Sequence, residues 1–180
     1  EIGLGSAAGT FSAAAPKSIN AGGDAQCGLD LYADEIFLEA ARRAPVAAYA
    51  SEELPAPVML DAAAPLALAI DPLDGSFNID TNVSVGTIFS ILPAAGEPNG
   101  DPAASFLQPG SRQFAAGFFI YGPQFALALT LGNGTHGFLF SPRMGTFVQL
   151  HESLIIGTGA REFAINASNY RHWDEPVGLY

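Results

Sequence analysis

The stretch PLALAIDPLDGSFNID, Pro65–Asp80, changes character halfway along. Residues 65–70 are apolar and read as a buried strand. Asp71 and Asp74 then bring two carboxylates to the strand's end, on either side of Pro72 and Leu73, before Gly75 and Ser76 turn the chain. Like charges beside a buried strand repel one another unless a partner compensates them. The spacing predicts a Pro-Leu turn that lets both carboxylates face one cation. It also predicts a sheet whose strand ends form the working edge, as in α/β architectures.

Working outward, VAAYAS (46–51) precedes this stretch as a second strand, and the acidic EELPAP segment (52–57) joins them as a loop. VSVGTIFSIL (83–92), rich in β-branched and aromatic residues, is a third strand. Earlier, Leu29, Ala33, Ile36, Phe37, Ala40 and Ala41 recur at helical spacing. That helix is expected to begin at an Asp24 cap and end near Arg43, while residues 1–22 read as a loop or edge segment. The Pro/Gly-rich residues 93–105 read as a surface loop. Residues 110–132 form a strand pair or a strand-helix pair. HGFLFSPRMGTFVQL (136–150) is a hairpin turning at Pro142–Gly145. EFAINAS (162–168) is a last strand, and the residues after it open a helix. Together these elements predict a layered α/β (α+β) fold with mixed sheets between helices.

The composition bounds the function. Of 180 residues, 49% are hydrophobic and 14% charged, which suits one domain with a sizeable core. A net charge of −11, with one lysine and six arginines, argues against a nucleic-acid partner and against an anionic membrane surface. No apolar run reaches the roughly 18 residues of a membrane span. The single cysteine, Cys27, excludes an internal disulfide and fits a reducing compartment. The chain opens on Glu1 and is expected to be part of a longer one.

Three acidic groups fall at the ends of expected elements: Asp24 with Asp30, Glu52 with Glu53, and Asp71 with Asp74. Each alone has a plain explanation. Asp24 suits a helix cap, Glu52 and Glu53 a solvated loop, and Asp74-Gly75 an ordinary turn. His136, His151 and His172 lack metal-ligand spacing. Jointly, the acidic groups supply hard oxygen donors of the kind magnesium takes. Gly75 admits close backbone approach, and the amides of Gly75 and Ser76 suit a phosphate oxygen.

The motifs GDAQCGLD, ASEELP, DPLDGSFNIDTNVSVGTIFSI, LQPGSRQFAAGFFIYG, HGFLFSPRMGTFVQL and FAINASNYRHWD resemble those of class I fructose-1,6-bisphosphatases, from about Gly23 to Asp174. DPLDG alone is shared with the wider lithium-sensitive phosphatase superfamily, inositol monophosphatases included. The remaining motifs are much more specific. The resemblance implies the sugar-phosphatase fold and hydrolysis of the 1-phosphate of fructose 1,6-bisphosphate. It implies two or three Mg2+ ions, with Mn2+ as a substitute, and a cytoplasmic or plastidic homotetramer. By position, Glu52, Asp71, Asp74 and the Leu73 carbonyl look like metal ligands, and Asp24 like a ligand to a looser ion. Glu53 and Asp30 look like the pair that activates water. Gly75 and Ser76 look like phosphate contacts, and Asn166 like a contact to the distant sugar phosphate.

The sequence departs from the family pattern at Phe77, where the family has a second serine, and at Cys27, where lysine is usual. Family chains continue well past the position of Tyr180, adding a further glutamate ligand and most 6-phosphate contacts. Residues 1–180 are therefore expected to form the metal-binding N-terminal and central portion of that fold. Two other readings stay open: a sedoheptulose-1,7-bisphosphatase or dual sugar bisphosphatase, and a homologue that kept the fold without catalysis.

Overall fold

The computed structural model describes residues 18–19, 25–26, 28–95, 100–159, 161 and 170–178. Asp24, Cys27, Asn166 and the expected strand at 162–168 lie outside them. Near the start, β1 (Ser18–Ile19) and β2 (Ala25–Gln26) pair as an antiparallel ribbon. The expected helix begins only afterwards, as α1 (Gly28–Ala41). Its apolar repeat starts at Leu29, so the residues preceding Gly28 have no helical face to bury.

The other strands are β3 (Val46–Ser51), β4 (Val58–Met59), β5 (Leu66–Asp74) and β6 (Val85–Pro93). They continue with β7 (Ala115–Tyr121), β8 (Phe125–Thr130), β9 (Thr135–Ser141) and β10 (Thr146–His151). They form one eight-stranded mixed sheet in the order β10-β9-β8-β7-β6-β5-β3-β4. Strands β3 and β5 are parallel, and every other described pairing in this sheet is antiparallel. Residues 115–130 are thus two antiparallel strands rather than a strand and a helix. The β9–β10 hairpin turns where expected: Ser141 O accepts from the amides of Met144 and Gly145, and Gly145 takes a φ of 66°. A short helix α2 (Glu175–Gly178) follows Asp174. No described helix is long and apolar enough to cross a membrane.

Helix α1 packs on β3 and β5. The core under it gathers Ala41, Tyr49 and Ile70, with Phe37, Leu38 and Phe89 against them. The helix is rotated from the face its apolar repeat predicts. Ile36 is 51% exposed, whereas Asp30 and Asp34 are 3% and 5% exposed. Two aspartates one turn apart therefore face the sheet, an arrangement that needs polar partners. Farther along, Phe119, Phe125, Phe140 and Phe147 pack in tilted and edge-to-face pairs, with ring centroids 5.0–5.9 Å apart. Strand alternation puts Ile88, Phe118 and Ile120 on the opposite face, where they are 40–48% exposed.

Candidate active site

The parallel pairing of β3 with β5 builds the site. Ser51 lies opposite Ile70 in that register, and the Glu52 amide donates to the Ile70 carbonyl at 3.2 Å. The next residues, Glu52 and Asp71, come side by side at the strand ends. Burial raises the Asp71 carboxyl to about 7, helped by a hydrogen bond and negative charge from Glu52. The Leu73 amide, donating to Asp71 Oδ1 at 3.1 Å, opposes that rise, and Asp74 adds a weaker repulsion. Asp71 thus sits half-buried beside a second carboxyl at a strand end, a crowding of negative charge that a divalent cation would offset.

Pro72 and Leu73 do not form the expected turn. Asp71 pairs with Ile88 and Asp74 with Gly86, so β5 carries one extra residue and bulges inside the sheet. Proline suits that position because it lacks an amide hydrogen for the ladder. Its carbonyl accepts from the Thr87 hydroxyl at 2.8 Å, and Thr87 Oγ1 lies 2.7 Å from the Tyr121 hydroxyl. Thr87 is fully buried. Thr87 of the neighbouring strand thus holds the bulge, backed by Tyr121 from the strand beyond, and Leu73 lies within it.

The turn itself comes at Gly75, with φ 76°, which caps a 3-10 helix over Ser76–Asn78. An added Cβ there would stand 3.0 Å from Asn78 Nδ2. The Asn78 amide donates to Gly75 O at 2.8 Å, and its side chain donates to Ser84 O at 3.2 Å. Phe77 is 63% exposed, with its ring turned outward instead of filling the loop.

The carboxylates are gathered unequally. Glu52 and Asp71 interact directly, while Asp74 is exposed and acts on Asp71 only through charge. Among the described residues, no group of three or more His, Cys, Asp or Glu side chains is arranged to hold a metal ion. The donors present, carboxylate oxygens beside the Leu73 carbonyl, nevertheless fit a hard cation that completes its shell from water and phosphate. A concave surface of about 640 Å³ starts at Glu52 and Asp71 and runs over the sheet face opposite α1, past Ser90, Gln113 and Thr130.

A second polar group lies under the site, on the α1 side. The Tyr49 hydroxyl donates to Asp34 Oδ1 at 2.8 Å. Burial, then Asp34, push the Tyr49 phenol well above its ordinary range, so it remains a donor. Ser51, two residues on along the same strand face, accepts at Oγ from the Glu53 amide at 3.2 Å. Sequence patterning missed these residues, as it missed Thr87 and Tyr121. The available signal was a lone tyrosine in a strand of small residues, with Asp34 one turn after Asp30.

Residues 8–152 match the family model described as fructose-1,6-bisphosphatase, N-terminal domain. A class 1 fructose-1,6-bisphosphatase of Rhizobium meliloti (strain 1021) is 63% identical over 161 residues, covering 89% of this chain and 46% of that protein. One of Methylorubrum extorquens (strain PA1) is 50% identical over 179 residues, covering 99% of this chain and 50% of the relative. The chain spans about half the length of these curated relatives. Among solved structures, Leishmania major fructose-1,6-bisphosphatase in its holo form superposes with a TM-score of 0.78 at 29% identity. That match covers 88% of this chain and 51% of the other. A sheet with paired strand-end carboxylates, the matched domain model and these relatives lead to one assignment: the chain belongs to the fructose-1,6-bisphosphatase family.

Proposed function

We propose that this chain carries the metal- and water-handling part of a magnesium-dependent enzyme that hydrolyses the 1-phosphate of fructose 1,6-bisphosphate, giving fructose 6-phosphate and phosphate. The observation that carries the reading is the Glu52–Asp71 pair, two carboxyls held together at adjacent parallel strand ends with Asp71 raised to about 7. Glu52, Asp71, Asp74 and the Leu73 carbonyl would hold the principal ions, with Asp24 toward a third. Mg2+, or Mn2+ in its place, supplies charge neutralisation for the phosphate and an acidified water. Glu53 and Asp30 take the proton from the attacking water. The amides of Gly75 and Ser76 donate to phosphate oxygens, and Asn166 contacts the distant phosphate. Positioning and charge stabilisation account for most of phosphoryl-transfer catalysis, which suits rigid strand ends as the platform.

Sedoheptulose 1,7-bisphosphate, which also presents a primary phosphate ester, is the alternative substrate, alone or beside fructose 1,6-bisphosphate. The whole protein is proposed to be a cytoplasmic homotetramer, with residues 1–180 as its metal-binding N-terminal and central portion. A phosphate-release assay on both sugar bisphosphates, with and without Mg2+, tests the reading. Metal-dependent release from fructose 1,6-bisphosphate is expected, and no release from either substrate would defeat the reading.

A further inference from the structure

Helix α1 and strand β3 run antiparallel, joined by the short turn after Ala41 in which the Val46 amide donates to Ala44 O. Asp34 sits opposite Tyr49, so Asp30, one turn earlier on the same buried face, lies toward the Ser51–Glu53 end of the strand. Three polar side chains connect the two elements. Asp34 accepts from Tyr49, Ser51 follows two residues on along the same face of β3, and Ser51 Oγ accepts from the main-chain amide of Glu53. Tyr49 is fully buried and Asp34 is 5% exposed, whereas an apolar pair would fill the same space without a desolvation cost.

We propose that Asp34, Tyr49 and Ser51 are positioning residues, a run of polar side chains between α1 and β3 that fixes the backbone carrying Glu53 relative to the helix carrying Asp30. The proposal rests on the reading of Glu53 and Asp30 as the groups that take the water's proton. Strand alternation turns the Tyr49 and Ser51 side chains toward α1, while those of Glu52 and Asp71 point to the other face. Their loss therefore acts on the proton-transfer step and spares cation uptake. Small displacements of a general base reduce turnover steeply.

The test uses the whole protein, its phosphate release measured at saturating Mg2+. Ser51→Ala and Tyr49→Phe are each expected to lower kcat by about tenfold or more, with KM and the half-saturating Mg2+ concentration within about twofold of wild type. Ser51→Thr, which keeps a hydroxyl, recovers most of the loss. Ser51 is only partly buried at the strand's end, so Ser51→Ala carries the test should Tyr49→Phe fail to fold. Wild-type kcat in Ser51→Ala, with only Tm lowered, overturns the proposal and leaves the functional reading intact. A wild-type protein that releases no phosphate overturns both.

Discussion

The Thr87 hydroxyl donates to the Pro72 carbonyl at 2.8 Å, pinning the one-residue bulge between Asp71 and Asp74. Both residues are fully buried, so the carbonyl has no recourse to water. Thr87→Val keeps the shape and removes the donor. It is expected to destabilise the protein by about 1–3 kcal/mol in urea unfolding, the usual effect of orphaning a buried acceptor. Metal affinity should fall with it, because the spacing of Asp71, Leu73 and Asp74 depends on the bulge. Thr87→Ser should stay near wild type on both counts, and unchanged stability in Thr87→Val would show that the bulge holds itself.

Asp71 makes the metal-free protein sensitive to pH. Its folded value, about 7, lies above its ordinary 3.8, so folding favours the protonated form. That contribution is fully present below 3.8 and is lost as pH rises through about 7. Metal-free protein should therefore lose stability across this window, and added Mn2+ should reverse the loss at pH 8. Calorimetric titrations at pH 6 in buffers of different ionisation enthalpy should report proton release on metal binding. Identical heats in both buffers would mean that no proton is displaced.

Much of this site was legible in the sequence, and the illegible parts have physical reasons. The apolar run of residues 65–70, the β-branched strand after Val83 and the Pro142–Gly145 turn carry local signals, and each formed where expected. The bulge at Pro72 did not declare itself, because a register shift exists only relative to a partner strand, here β6. The rotation of α1 was hidden for a related reason. Apolar spacing points to Ile36, but Tyr49, fifteen residues beyond Asp34, supplies a buried aspartate with a donor. The side-by-side placement of Glu52 and Asp71 required the parallel β3–β5 register, which no local pattern specifies.

Phe77 separates stability from catalysis. Its ring is 63% exposed, so Phe77→Ser should change unfolding free energy by no more than about 0.5 kcal/mol. The new hydroxyl, next to Ser76, adds a donor at the proposed phosphate loop. Catalytic efficiency on fructose 1,6-bisphosphate is expected to rise, and an unchanged or lower value would place residue 77 away from the phosphate.

The sheet face opposite α1 exposes Ile88, Phe118 and Ile120 together. Expressed as residues 1–180, the protein should bind the apolar dye ANS and self-associate with increasing concentration. Phe118→Lys should reduce both effects, as followed by fluorescence and sedimentation. A monodisperse protein that does not bind the dye would show that this face is satisfied within the chain.

On the proposed reading, the Asp71 carboxylate, beside Glu52, holds the cation on which phosphate release depends. Titration calorimetry of Mn2+ into the whole protein and its Asp71→Asn variant, alongside Tm, tests it most directly. Removing one of two apposed carboxylates relieves their repulsion, so Tm should hold or rise. Affinity for the tightest ion should fall at least about tenfold, as expected on losing a charged oxygen ligand. Wild-type Mn2+ affinity in folded Asp71→Asn would contradict the account.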